Sequence, residues 1–457
     1  MPDYFAPRAL LPQGWRHNVL LQVNDEGNLL AVTPDASPGE AAVLAGPVVP
    51  AMPNLHSHAF QRAMAGLTEV VGDPQDSFWT WRDVMYRMVA TLSPDQVHII
   101  ARQLYIEMLK GGYSQVAEFH YLHQDPQGRA YQHPGEMALR ISQAAAESGI
   151  GLTLLPVLYS YSGFGAQPAQ PGQRRFIQQT EAYLHQHQLL AQHLAGQRHQ
   201  RLGVCFHSLR AVDEAQMSTV LAQTDPTLPV HIHVAEQLKE VNDCLAWSGQ
   251  RPVRWLLDHA PVDARWCLIH ATHLDDDEIT ALARSGAVAG LCPTTEANLG
   301  DGIFPATDYL PLGGRWGIGS DSHVSLDVVE ELRWLEYGQR LRDRRRNRLA
   351  TAQDAAVGDA LYAGALAGGA AACGIAAGQL TAGYRADWLV LDARDPYLQS
   401  APDETVINRW LFAGGRQQIR DVFVAGRHVI QDGHHALEHA SAAAFAAVLQ
   451  DLQQVAR

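Results

Sequence analysis

Eight apolar runs recur along the middle of the chain, nearly all closing on polar side chains: residues 48–58, 114–121, 150–160, 202–207, 228–236, 266–270, 286–293 and 315–321. Between them lie stretches whose apolar residues recur at helical spacing, such as 94–110, 136–148, 213–223 and 275–285. The alternation therefore reads strand, helix, strand, helix. Eight such units predict an α/β chain folded as a (β/α)8 TIM-type barrel over residues 50–375, an architecture that gathers its site at the C-terminal ends of its strands. The flanks differ. Residues 1–49 and 376–437 carry short β-like pieces with Gly-rich turns, predicted to pair into one small β-sandwich domain built from both termini. Residues 438–457 read as a terminal surface helix. The Ala/Gly-rich stretch 352–374 is either a low-complexity linker or a close-packed helix, and its leucines and tyrosine favour the helix. The basic run 340–348 reads as a solvated helix face or loop.

Composition narrows the class. With 457 residues, 47% hydrophobic and 18% charged, the chain can bury a large core and hold more than one domain. Residues 1–15 show no signal-type apolar segment, and no run approaches the roughly 18 apolar residues of a membrane span. A soluble, cytoplasmic protein with no membrane partner is expected. Five cysteines form no Cys-x-x-Cys pair, which suits buried thiols in a reducing compartment. A formal charge of −14 repels polyanions and disfavours nucleic acid. An anionic small molecule would need local arginines.

Two runs break into histidine pairs, His56-Ser57-His58 and His231-Ile232-His233, and a third, Gly317-Ile318-Gly319-Ser320, breaks into Asp321. Alternate residues of an extended strand share a face, so such a pair can bridge one tetrahedral ion. The chain has 22 histidines, enough for roughly one His-x-His by chance. His185-Gln186-His187, in a polar Gln-rich stretch of helical character, supplies that control and is expected on a solvated helix face. The other pairs follow buried-strand patterns. Together with Asp321 they read as a metal site assembled from separate strand ends, with His231 and His233 competing for one place.

His56-x-His58 at the first strand, His233-Val-Ala-Glu236 at the fifth, His270 at the sixth, Asp321 at the eighth, and the closing segment Gly383-Tyr384-Arg385-Ala386-Asp387 resemble the amidohydrolase superfamily over essentially the whole chain. Within it, residues 117–123, 206–210, 319–323 and 330–337 resemble the formimidoylglutamate deiminase family. That resemblance implies hydrolysis of N-formimino-L-glutamate to N-formyl-L-glutamate and ammonia in histidine breakdown. It implies a homodimer, and a single divalent ion, Zn2+, on His56, His58, His233 and Asp321. His233 is preferred to His231 because it places Glu236 three residues on. Glu236 would carry a proton from the attacking water to the leaving nitrogen, Asp321 would also accept a proton, and His270 would polarise the tetrahedral centre. Two-metal relatives bridge their ions with a lysine near the fourth strand. Only Lys110 and Lys239 occur, and the fourth strand ends in Phe206-His207-Ser208, so one metal and deaminase chemistry are expected.

A small anionic amidine with two carboxylates calls for planar cationic forks. Arg82, on the long loop after the first strand, and Arg210, just past the fourth, are the candidates. Gln61, Tyr121 and His207 would add hydrogen bonds, and Trp79 and Trp81 could shape a lid. Plain structural readings stay open beside these: Glu236 opening a helix, Asp321 as a helix cap, His270 as a core histidine, the arginines in surface ion pairs. A heterocycle deaminase on the same scaffold, and a non-catalytic metal-binding protein, are the alternative functions.

Overall fold

In the computed structural model, which describes residues 2–69, 78–351 and 354–456, each of the eight apolar runs supplies a strand of one parallel sheet. They are β1 (Met52–Ser57), β2 (Tyr113–His120), β3 (Gly151–Leu158), β4 (Val204–Ser208), β5 (Val230–Val234), β6 (Trp266–His270), β7 (Val288–Leu291) and β8 (Arg315–Ile318). These strands lie side by side in chain order, and a parallel bridge between Ser57 and Asp321 brings the end of β8 back to β1. Every residue of β2, β3 and β5 is buried. Helices cover the outer face of a parallel barrel while side chains fill its interior, which is why these strands read as continuous apolar runs rather than alternating ones.

Helix starts follow from local chemistry. Ser93 and Gln96 close a capping box on the helix Pro94–Lys110, as Asp213 with Gln216 and Asp275 with Glu278 do for Glu214–Gln223 and Asp276–Ser285. The Ala/Gly-rich stretch is a helix, Val357–Cys373, packed on β1 and β8. Its small residues are required: a Cβ on Gly368 would lie 1.6 Å from the Trp316 carbonyl oxygen. The basic run 340–348 is the last turn of helix Val328–Asp343 and the loop beyond it, with most of its arginines exposed.

Two local expectations fail. The stretch His185-Gln186-His187 is helical, but only His185 faces solvent; His187 Nε2 meets the Gly203 carbonyl at 3.2 Å and Gln186 donates to the Pro134 carbonyl at 2.9 Å. That helix packs on the barrel, and its inward polar groups are satisfied by loop carbonyls, so a polar composition conceals a buried face. The segment around Arg82 is not loop either: Phe78–Val89 is a helix. The side chain of Trp79, expected to help shape a lid, lies outside the described residues.

The termini build the second sheet. Its path runs His434–His435, Arg427–Gln431, Ile419–Val424, Trp388–Leu391, Val48–Pro50, Tyr4–Leu11, Gly14–Val23, Leu29–Thr33, with Ala42–Val43 beside Tyr4–Leu11. Val48–Pro50 joins the N-terminal strands to the C-terminal ones, and Tyr4, Trp388 and Phe423 pack together in its own core. The helix Glu438–Ala456 docks on Pro94–Lys110 with Lys110 Nζ 2.6 Å from Glu438. All five cysteines are buried and free. Among the described residues no helix is long and apolar enough to cross a membrane.

The Gly368 contact gives a direct test. G368A forces the helix off β8 and should cost about 1–3 kcal/mol in denaturant unfolding, whereas G196A, whose Cβ would meet nothing within 4 Å, should change stability by less than about 0.5 kcal/mol.

Candidate active site

The end of β1 carries His56 and His58, and simple alternation does not explain their convergence, because the register of β1 against β2 slips between Asn54 and Ser57. Hydrogen bonds aim the rings instead. His58 Nδ1 lies 2.8 Å from the Phe119 carbonyl oxygen, and the Glu118 carboxylate grips the residues on either side through Ser57 Oγ at 2.5 Å and the Ala59 amide at 2.6 Å. Burial, opposed by those donors, raises Glu118 to about 7. From β5, His233 places Nδ1 3.0 Å from the His207 carbonyl oxygen. With their Nδ1 protons given to carbonyls, His58 and His233 turn unprotonated Nε2 atoms inward.

Those atoms meet Asp321. His56 Nε2 and His58 Nε2 each lie 3.3 Å from Asp321 Oδ1, and His233 Nε2 lies 3.0 Å from His56 Nε2. Burial lowers all three imidazoles, His56 to about 3, so they are neutral donors at physiological pH. Asp321 is held below the usual carboxylate range, since its burial is outweighed by the hydrogen bond and charge of His56 and by His270 and His58. Two neutral ring nitrogens facing each other at 3.0 Å repel unless a cation or proton lies between them. The donor atoms of His56, His58 and His233 lie close enough together to hold a metal ion, as do those of His56, His270 and Asp321, and with the Asp321 carboxylate 3.3 Å from both His56 and His58 this donor set fits a divalent ion. The close approach depends on Gly319, where a Cβ would come within 2.7 Å of His56 Cβ. Backbone strain collects here: Ala235, His270, Ala271, Asp321 and His323 all adopt positive φ, as functional strand ends often do.

Beside this cluster stand His270 and Glu236. His270 Nε2 is 3.9 Å from Glu236 Oε1 and 3.7 Å from Asp321 Oδ2, and its Nδ1 is 3.3 Å from Glu296 Oε1. Burial disfavours the imidazolium, but Glu236, Glu296 and Asp321 outweigh it and raise His270 to about 10. Burial lifts Glu236 to about 7 against the pull of His270.

A cavity of about 560 Å³, open to solvent, lies over these groups. His58, His233, Glu236, His270 and Asp321 form its floor, His56 sits behind it, and Gln61, Arg82, Tyr121, His207 and Arg210 all line it. Gln61 donates to the Tyr121 hydroxyl at 3.1 Å, and the Arg82 guanidinium lies over the Tyr86 ring, 5.3 Å from its centroid. Gln61 Oε1 and Arg210 Nε are buried without a hydrogen-bond partner in the protein, polar capacity that a ligand could use. Sequence reasoning missed Tyr86, Tyr159, Phe176 and Glu296. Tyr159 was findable, since it lies at the polar end of the third apolar run; Glu296 lies on helix Pro293–Leu299 just past β7. His231 sits apart from the cluster, its Nε2 2.8 Å from the Ala372 carbonyl oxygen. His273 bonds the Asp301 carbonyl, and His323 Nε2 receives the His58 amide. Lys110 and Lys239 pair with Glu438 and Asp243, away from the cavity lining.

Residues 47–429 match the model of the amidohydrolase family, and the chain belongs to that family. It is 64% identical to the formimidoylglutamate deiminase of Pseudomonas aeruginosa over 452 residues, spanning 99% of this chain and 100% of that protein. A crystal structure of an amidohydrolase from Brucella melitensis matches with a TM-score of 0.94 and 45% identity, covering 99% of this chain and 100% of that one. An adenosine deaminase from Xanthomonas campestris, crystallised with bound zinc, shares the fold at 20% identity with a TM-score of 0.81, over 99% of this chain and 98% of that one.

Buried neutral histidines set an acid limit. His231 titrates at about 4, lowered by burial, against 6.5 for an unperturbed histidine, so between those values the unfolded chain binds a proton the folded chain refuses. Stability is lost as pH falls through that window, by up to about 1.4 kcal/mol per pH unit for each such group. H231Q keeps a donor for Ala372 and removes the titration. Unfolding measured from pH 6.5 to 4 should show a shallower decline in H231Q than in the wild type.

Proposed function

We propose that this chain hydrolyses N-formimino-L-glutamate to N-formyl-L-glutamate and ammonia, a step of histidine degradation, using one Zn2+ held by His56, His58, His233 and Asp321. The observation that carries the reading is the presence of two guanidinium groups, Arg82 and Arg210, in the same cavity as Glu236, His270 and Asp321. The full-length identity to the Pseudomonas deiminase and the zinc of the Xanthomonas structure support it. Bound there, the ion supplies Lewis-acid activation of the hydrolytic water.

The side chains do the rest. Arg82 and Arg210 take the two substrate carboxylates as planar forks, with Gln61, Tyr121 and His207 completing the hydrogen bonds. That anchoring sets the formimino carbon over the floor, which makes the attack effectively intramolecular. Asp321, kept ionised, accepts a proton from the attacking water. Glu236, balanced near neutrality, takes a proton and delivers it to the nitrogen that leaves. His270, held cationic among three carboxylates, polarises the tetrahedral centre. Water thus adds across the C=N bond, the C–N bond to the protonated amine breaks, and ammonia departs as the formyl carbonyl forms.

The reading is tested by following ammonia release from N-formimino-L-glutamate by the zinc-loaded protein, with guanine and adenosine as comparison substrates. R82A and R210A should each raise KM by about 10–100-fold, the worth of a charge-assisted hydrogen-bond pair. E236Q should keep its metal and lose about 10²–10⁴ in kcat. Release from guanine or adenosine but not from the amidine would move the assignment to a heterocycle deaminase; no turnover of any of these with metal bound would leave a metal-binding protein.

A further inference from the structure

Glu240 has no part in the chemistry above, yet its side chain is buried and lies beside two groups that do. It is in the first turn of helix Leu238–Ser248, whose N-cap residue Gln237 makes no side-chain cap bond. A glutamate at this third helical position ordinarily folds back onto the amide of its own N-cap. This one reaches further. The Ala235 amide donates to Glu240 Oε1 at 3.1 Å, and the Glu236 amide donates to Glu240 Oε2 at 3.3 Å.

Those two amides belong to the turn that leads out of β5. Ala235 sits there at φ 54°, a left-handed conformation that a residue with a Cβ adopts only at a cost. Successive N–H groups across such a turn form a concave cradle for an anion. The Glu240 carboxylate fills that cradle, and so sets the direction in which the Glu236 side chain leaves the backbone. The same carboxylate acts on the cavity wall. Burial weakens the Arg210 guanidinium, but the charge of Glu240, followed by Tyr159 and Glu236, outweighs it and strengthens the cationic form.

We propose that Glu240 is a positioning residue: its carboxylate, by accepting the Ala235 and Glu236 amides, holds the Glu236 turn in its reactive geometry. This rests on the function proposed above.

The test uses the full-length, metal-loaded protein acting on N-formimino-L-glutamate, with metal content and thermal unfolding measured for each variant. In E240Q one carboxylate oxygen becomes an amide that opposes a backbone N–H, and the charge is lost. Its kcat should fall about 10–100-fold, the effect of a small misplacement of a reacting group, with KM little changed and metal stoichiometry unchanged. Added to E236Q, the same change should lower kcat by less than about twofold, because its effect passes through Glu236. E240D keeps the charge but is too short to span both amides, so kcat should fall while KM stays near the wild-type value; this variant decides the matter if E240Q does not fold. Wild-type kcat in E240D, loss of metal in E240Q, or an undiminished E240Q effect in the E236Q background would each overturn the proposal. An inactive wild type would instead remove the assigned reaction and this role with it.

Discussion

Closure of the barrel between its first and last strands is the constraint on which the site depends. The His56 carbonyl accepts the amides of both Ser320 and Asp321 at 3.1 Å, and Asp321 returns its own carbonyl to the His58 amide at 3.4 Å. The backbone of β8 is thus bound to that of β1 at the level where the side chains converge. Asp321 reaches two imidazoles of β1 because its main chain is hydrogen-bonded to theirs, and Gly319 makes the approach possible. Moving either strand end would open the barrel and scatter the donors together. Packing of Val357–Cys373 beneath the same two strands supports the junction from the far side, where Gly368 and Gly369 let the helix lie against Trp316 and Pro53.

Given that junction, the electrostatics follow from burial. Neutral imidazoles gather where burial lowers their basicity, and one histidine, His270, takes the opposite state because Glu236, Glu296 and Asp321 surround it. The two behaviours belong to one arrangement: the carboxylates that make His270 a cation lie beyond or at the edge of the His56–His58–His233 trio. His270 lowers Glu236 while Glu236 raises His270, so the protonation of each depends on the other.

The barrel was legible because strands buried on both faces become long apolar runs, and the metal-type cluster was legible because each of its members sits where such a run turns polar. Gln61, Tyr121, His207 and Arg210 were reachable by the same positional logic together with family resemblance. Other features were hidden for physical reasons. His187 is buried through a Gln-rich helix whose polar groups find loop carbonyls, and hydropathy cannot see that compensation. Glu118 and Glu296 act by bonding to residues distant in sequence, so no local spacing announces them. The Gly383–Asp387 motif carried the family resemblance without revealing its task. Arg385 and Asp387 form a buried pair that also engages Ser114, Gln115 and the Ala425 amide, pinning the terminal sheet to the start of β2.

A chain of net charge −14 would bind the doubly anionic substrate proposed above against its own long-range field. Attraction must therefore be short-ranged and strong, and that favours guanidinium forks inside a cavity over lysines on a rim. Arg82 and Arg210 meet that requirement by lining the cavity wall near tyrosines. Desolvation would weaken an isolated buried arginine. The charges of Glu240 and Glu236 favour the cationic form of Arg210, while its Nε is left without a protein partner.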